Sequence, residues 1–210
     1  MIAAATDTSA VTNEWAMTEV INHPSVLYKI QSELDSVVGR NRLVVESDLP
    51  YLPYLRCVVR ETFRMHPAGP FLIPHESIRS TNLMGFHIPA RTRVFINTHA
   101  LGRNPHVWGR SVDEFDPDRH APEEEGQRVE ISHGVDFKIL PFSAGKRKCP
   151  GAPLGVVMVL MALARLFQCF DWATVDGMKI ETEEVYGMTM PKARPLVVMA
   201  TPRLAPHLYS

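Results

Sequence analysis

The stretch PFSAGKRKCPGAPLG, from Pro141 to Gly155, sets three cations, a cysteine and a Pro-Gly pair directly before a long apolar run. That run, Ala152 to Ala164, holds only small and aliphatic residues and ends at Arg165. It is shorter than the ~18–20 residues a membrane span needs, so it reads as a buried helix. Cys149 therefore stands at the mouth of that helix, beside Lys146, Arg147 and Lys148. A helix N-terminus offers unpaired amides and the positive end of the helix dipole, which together favour a thiolate over a thiol.

A thiolate of this kind is an axial ligand for haem iron. The neighbouring residue types suit such a site. Glycine at 145 and 151 permits unusual turns and a close approach of backbone to a flat macrocycle. Phe142 packs beside the sulfur and excludes water, and Arg147 pairs with a propionate carboxylate. Each residue also has a plainer reading. A single cysteine is most often a buried small hydrophobe, and GKRK alone is a solvated loop or a weak nuclear-localisation match. The weight lies in the combination F-x-x-G-x-R-x-C-x-G, which holds Phe142, Gly145, Arg147, Cys149 and Gly151 in register.

The rest of the chain bounds the context. It has 210 residues, 45% hydrophobic and 21% charged, as expected of a chain with a packed core. The net charge of −1 excludes a global basic field, and with it a nucleic-acid partner. Three cysteines, Cys57, Cys149 and Cys169, cannot pair evenly and form no C-x-x-C, which argues against a disulfide scaffold. The opening MIAAATDTSA has no basic segment and no apolar core of a signal peptide. It reads as the middle of a helix over Met1–Ile21 without an N-cap, so residues are expected upstream. Its Thr-Asp-Thr-Ser cluster weakens helix propensity locally.

A second helix starts at Pro24 and ends at Gly39, with Val26, Leu27, Ile30, Leu34, Val37 and Val38 at helical spacing. Ser47 or Asp48 caps a third segment, strongly helical from Leu55 to Met65 and stopped by Pro67. LMGFHIPARTRVFINTHAL alternates and predicts a hairpin with turns at Gly85 and at Pro89-Ala90. Residues 104–141 read as a long coil. The tail segments VYGMTM and RPLVVMA read as short strands.

By the thiol-loop pattern the chain resembles the cytochrome P450 family, and the likeness runs along its whole length in order. The resemblance implies a mainly α fold with small β-sheets, here the C-terminal portion of a single P450 domain over 1–210. The N-terminal half and a membrane anchor lie outside the chain. Glu61 and Arg64 then form the family's E-x-x-R pair, with Arg119 of FDPDRH as the third, structural member. Asp118 and His120 stand where Glu and Phe are commoner. AATDTS resembles the oxygen-activation segment, with Thr8 and Asp7 as proton-relay residues and Ala4 near the substrate. His75 falls where the family places a basic partner for a haem propionate. Ala68, Phe71, Leu72, Ile73 and Met188 fall on substrate-lining segments.

PFSAGKRKCPGAPLG, ETFRMHPAGPFLIPHES and EVYGMTMPKARP resemble the plant microsomal type, and specifically the subfamily that hydroxylates medium-chain fatty acids in-chain for the pollen wall. The resemblance implies haem b with Cys149 as iron ligand, dioxygen, and electrons from NADPH through cytochrome P450 reductase, a flavin enzyme. It places the full-length enzyme on the cytosolic face of the endoplasmic reticulum. The rival expectation is a truncated, non-catalytic fragment that does not retain haem, with apolar faces of the 1–21 and 152–169 helices left uncovered.

Overall fold

A computed structural model describes residues 2–121, 129–131 and 137–209. Met1 and residues 122–128 and 132–136 of the expected coil lie outside the described residues. Four long helices carry the fold: α1 (Ile2–Asn22), α2 (Pro24–Val37), α3 (Pro53–Met65) and, further along the chain, α6 (Ala152–Cys169). Two short helices, α4 (Thr98–Gly102) and α5 (Pro105–Trp108), follow α3.

The threonines of α1 are accommodated within the helix, their hydroxyls bonding back to its own carbonyls. Thr8, Thr12 and Thr18 donate to the carbonyls of Ala4, Thr8 and Glu14, one turn back. Pro24 opens α2, where its missing N–H costs nothing. The amides of Val38 and Gly39 both close on Leu34 O, and Gly39 turns away at φ +79°.

Neither Ser47 nor Asp48 caps α3. Asp48 instead accepts from Val45 N and two Arg42 guanidinium nitrogens within a separate 3-10 turn, Glu46–Tyr51. The cap of α3 comes from α2, where the Glu33 carboxylate accepts from Tyr54 N at 2.6 Å and Leu55 N at 3.0 Å. A carboxylate at that end also meets the positive pole of the helix.

The core joins α1, α2, α3 and α6 through Ala16, Val20, Ile30, Leu34, Leu55, Val58, Val59, Leu160, Leu163 and Phe167. Among the described residues α6 alone is long and apolar enough to cross a membrane, and half of it is buried inside the fold. Its Leu154 and Met158 remain exposed. Gln168, fully buried on α6, ties down the α2–α3 connection, donating to Gly39 O and Arg42 O and accepting from Val44 N.

The sheets differ from the sequence expectation. β2 (Thr81–Leu83) and β3 (Phe86–Ile88) form the hairpin at Gly85. No second hairpin follows: β4 (Arg93–Val94) pairs antiparallel with β1 (His75–Glu76), bracketing that hairpin. In the tail, RPLVVMA contributes β6 (Val198–Pro202), paired with β5 (Phe170–Thr174) directly after α6. VYGMTM forms no strand. A single bridge between Glu184 and Lys192 closes it into a loop. Alternation alone cannot reveal a partner that lies far along the chain.

One backbone approach is close enough to decide a residue. A Cβ on Gly102 would lie 2.0 Å from the Arg64 carbonyl oxygen. Gly102→Ala should therefore force α4 away from the end of α3 and destabilise the fold by about 1–3 kcal/mol. Thermal unfolding of the variant measures it, and an unchanged midpoint would contradict the packing described.

Candidate haem-thiolate site

The loop before α6 is shaped by two left-handed residues, Ser143 at φ 60° and Gly145 at φ 72°. A 3-10 turn, Gly145–Arg147, follows. Cys149 N donates to Phe142 O at 2.9 Å, so the loop closes on itself and presents the thiol at the start of α6. Cys149 is exposed, whereas Cys57 and Cys169 are buried. Burial pushes the Cys57 thiol up to about 11, so that residue stays protonated and inert.

Gly145 has open space where a Cβ would stand, as a backbone facing a flat ligand requires. Gly151 departs from expectation. It sits at φ −87°, ψ 5°, with no left-handed turn, as the residue preceding the helix. A Cβ there would lie 3.9 Å from Cys149 Sγ, an ordinary van der Waals contact. The Phe142 ring packs edge-on against Phe63 of α3, centroids 5.5 Å apart, and contacts the space beside Gly155. The loop is thus anchored to α3 through an aromatic pair. Lys146 and Arg147 are exposed, with no ion-pair partner among the described residues.

These features fit a haem: one exposed thiol at a helix start, glycine backbone facing open space, and an unpaired guanidinium for a carboxylate.

Behind the loop lies a buried charge network. Glu61 and Arg64 have fully buried side chains and pair through two hydrogen bonds, Nε–Oε2 and Nη2–Oε1, both 2.8 Å. Arg119 Nε donates to Glu61 Oε1 at 2.9 Å, and the Asp116 amide to the same oxygen at 3.0 Å. Arg64 also donates to the carbonyls of Gly102, Val112 and Glu114, and Arg119 to that of Ser111.

Sequence reasoning treated His120 as a tolerated departure. The structure makes it a direct member: its Nε2 lies 2.7 Å from Glu61 Oε2, with the side chain 3% exposed and its ring edge-on to Trp108. Asp118, the other departure, pairs with Lys29 of α2 at 2.6 Å. The departure from pattern was itself the signal. A polar residue replacing a buried aromatic needs a partner.

Burial would raise the Glu61 carboxyl. Hydrogen bonds from Arg64 and His120, the Arg64 charge and the Asp116 amide outweigh it and hold the carboxyl at about 2. Burial pushes the His120 imidazole below its ordinary value, against the pull of Glu61. The neutral Nε2–H tautomer is enough to make the bond.

The remaining residues named from sequence are spread along several elements. Thr8 is half-buried on α1, its hydroxyl on Ala4 O at 2.7 Å, and Asp7 is exposed. Ala4 is exposed on the same helix. His75 is half-buried in β1 opposite Val94. Phe71, Ile73 and Met188 are exposed, Met188 at 90%, while Leu72 is half-buried at φ 51°. The two segments meet: Met190 N donates to Ala68 O, and Met188 O lies 4.0 Å from the Cβ position of Gly69. Among the described residues no hydrogen bond or ion pair ties Thr8, His75 and Cys149 to one another.

The comparisons with known proteins agree with this geometry. The family model for cytochrome P450 matches residues 1–199, and the chain belongs to the cytochrome P450 family. Cytochrome P450 703A2 of Oryza sativa subsp. japonica is 72% identical over the whole chain, and its namesake from Arabidopsis thaliana is also 72% identical. The chain covers 40% and 41% of these two relatives, so it spans about two fifths of their length. A flavonoid 3',5'-hydroxylase from Crocosmia x crocosmiiflora is 46% identical. A zebrafish cytochrome P450 solved with abiraterone superimposes with a TM-score of 0.83 at 29% identity, over 95% of this chain and 45% of that one. The mainly α fold with small sheets and the likeness to plant P450s, both read from sequence, are borne out.

The network has a pH signature. A carboxyl held at about 2 rather than 4.5 contributes stability that is complete above the higher value and is lost as pH falls toward the lower. That contribution is on the order of 3 kcal/mol. A depressed histidine acts in the same direction, its contribution falling away below its ordinary value. Glu61→Gln should flatten the acid limb of the stability profile. Glu61→Ala, which leaves Arg64 and Arg119 uncompensated, should cost about 3–5 kcal/mol. Urea midpoints across pH check both; parallel profiles for the parent and Glu61→Gln would refute the assignment.

Proposed function

We propose that this chain forms the haem-binding and oxygen-activating part of a plant microsomal monooxygenase acting on an apolar substrate, a medium-chain fatty acid hydroxylated in-chain. The observation that carries the reading is the exposed Cys149 thiol on a closed loop at the start of α6, in a chain 72% identical to cytochrome P450 703A2. When bound, the haem supplies an iron centre at which dioxygen is split, one atom passing to a C–H bond and the other to water, with electrons from NADPH through a flavin reductase.

The chain's own residues perform the rest. Cys149 Sγ, exposed at the start of α6, would be the ligand that holds the iron. Arg147 and His75 bind the propionates. Phe142 holds the loop against α3. Thr8 Oγ1, which donates to Ala4 O, would hand on a proton, and Asp7 would be the neighbouring acid that replenishes it. Ala68, Phe71, Leu72, Ile73 and Met188, on two segments that meet, offer apolar side chains that suit an alkyl chain, and Ala4 of α1 would add to them. The N-terminal half of the same domain completes the pocket, and the complete enzyme sits on the cytosolic face of the endoplasmic reticulum.

In the chain extended to the length of its curated relatives, Cys149→Ser should abolish hydroxylation of lauric acid and the thiolate-type spectrum of the carbon monoxide complex. Thr8→Ala should keep haem but consume NADPH without matching product. A Cys149→Ser protein that retains both properties would end the assignment. The 210 residues alone, mixed with haem, should bind it weakly and aggregate through Leu154, Met158 and the exposed start of α1. A soluble monomer with stoichiometric thiolate-ligated haem would reverse that expectation.

A further inference from the structure

Glu19 of α1, His66 immediately after α3 and Glu184 of the C-terminal loop form a buried cluster apart from both the thiol loop and the Glu61 network. His66 Nε2 lies 2.8 Å from Glu19 Oε1, and its Nδ1 lies 2.9 Å from Glu184 Oε1. The three side chains are 3%, 5% and 10% exposed. An ionised carboxylate only accepts hydrogen bonds, and a neutral imidazole has one N–H to give. Both contacts are satisfied together when the ring donates from both nitrogens. Two buried carboxylates thus flank one imidazole ring, and Arg103, 3.6 Å from Glu184, brings a positive charge to the cluster.

The ring is also held in plane. Trp15 stacks on His66 with centroids 3.9 Å apart and 2° between planes. The same Trp15 donates from Nε1 to Met190 O at 2.8 Å. Met190 N in turn donates to Ala68 O, and Val185 N to Pro191 O. The loop from Glu184 to Lys192 is therefore gripped at both ends, by His66 through Glu184 and by Trp15 and Ala68 through Met190. Met188 stands between the grips, exposed.

We propose that Glu19, His66 and Glu184 form a charge clasp that fixes the 184–192 loop over α1 and so places Met188 and the 68–73 segment against an apolar substrate. His66 is a positioning residue: it acts through Glu184 and the loop. The proposal rests on reading those two segments as the substrate wall. Glutamine at position 66 has one amide to donate and a carbonyl that would face a carboxylate. His66→Gln therefore breaks one grip by repulsion, and adding Glu184→Gln removes the repulsion and restores a neutral pair.

The test uses holoenzyme of the full-length chain, with lauric acid as probe, and reads amide hydrogen exchange as well as binding. His66→Gln should weaken lauric acid binding about tenfold, the loss of one charge-assisted contact. Turnover at saturation and the carbon monoxide spectrum should stay within about twofold of the parent. Exchange should rise at Val185 and Met190 and remain unchanged in α3. The double variant should recover both readouts. Unchanged exchange at 185–190, or a rise spread evenly over α1 and α3, overturns the clasp. If His66→Gln yields no holoenzyme, Glu184→Ala, which leaves His66 Nδ1 without its acceptor, is read the same way, since His66 keeps Glu19. If the parent does not bind lauric acid, the substrate reading fails, while the exchange pattern still decides the clasp.

Discussion

A carboxylate with no exposed surface holds this fold in shape. Glu61 accepts from Arg64, Arg119, His120 and the Asp116 amide, and every one of those donors except Arg64 comes from the irregular segment after α5. A buried charge left unpaired is among the most costly defects a protein can carry. The segment can therefore occupy one place only, the one that satisfies Glu61. A stretch whose only regular element is the 3-10 turn Pro117–His120 is thereby given a defined path.

The helix that carries Glu61 distributes that order. At its N-terminus α3 is capped by Glu33 of α2. Near its C-terminus Phe63 receives Phe142 of the thiol loop. One residue past its end, His66 binds α1 and the C-terminal loop. The thiol loop, α1 and the 184–192 loop thus refer their positions to one rod. Its near-total burial follows, because a helix contacted on every side has no solvent face to spare.

Charge is used differently in the two buried networks. Around Glu61 two guanidinium groups and a neutral imidazole converge on one carboxylate, and the excess of donors drags its pKa to about 2. Around His66 two carboxylates converge on one ring, with Arg103 behind. The first arrangement is closed in, with the side chains of Glu61 and Arg64 fully buried and His120 3% exposed. The second faces a cleft of about 540 Å³ bounded by Glu19, His66, Arg103 and Glu184, so water reaches its edge. The first network holds the segment after α5, and the second holds the 184–192 loop.

Much of this was legible in one dimension. Helical spacing gave α2 and α6 their limits, i, i+3 spacing placed Glu61 beside Arg64, and the glycine, cation and cysteine pattern before α6 marked the thiol loop, because each depends only on neighbours along the chain. Tertiary structure alone decided which strand pairs with β1, that Glu33 and not Ser47 or Asp48 caps α3, that VYGMTM is a gripped loop, and that His120 bonds Glu61. It also brought Glu19, His66 and Glu184 together across 165 residues of sequence (19 to 184). The physical reason is common to all of these. A buried polar group must find a partner, and the sequence records the need for one without saying which distant residue the folded chain will bring within hydrogen-bond reach.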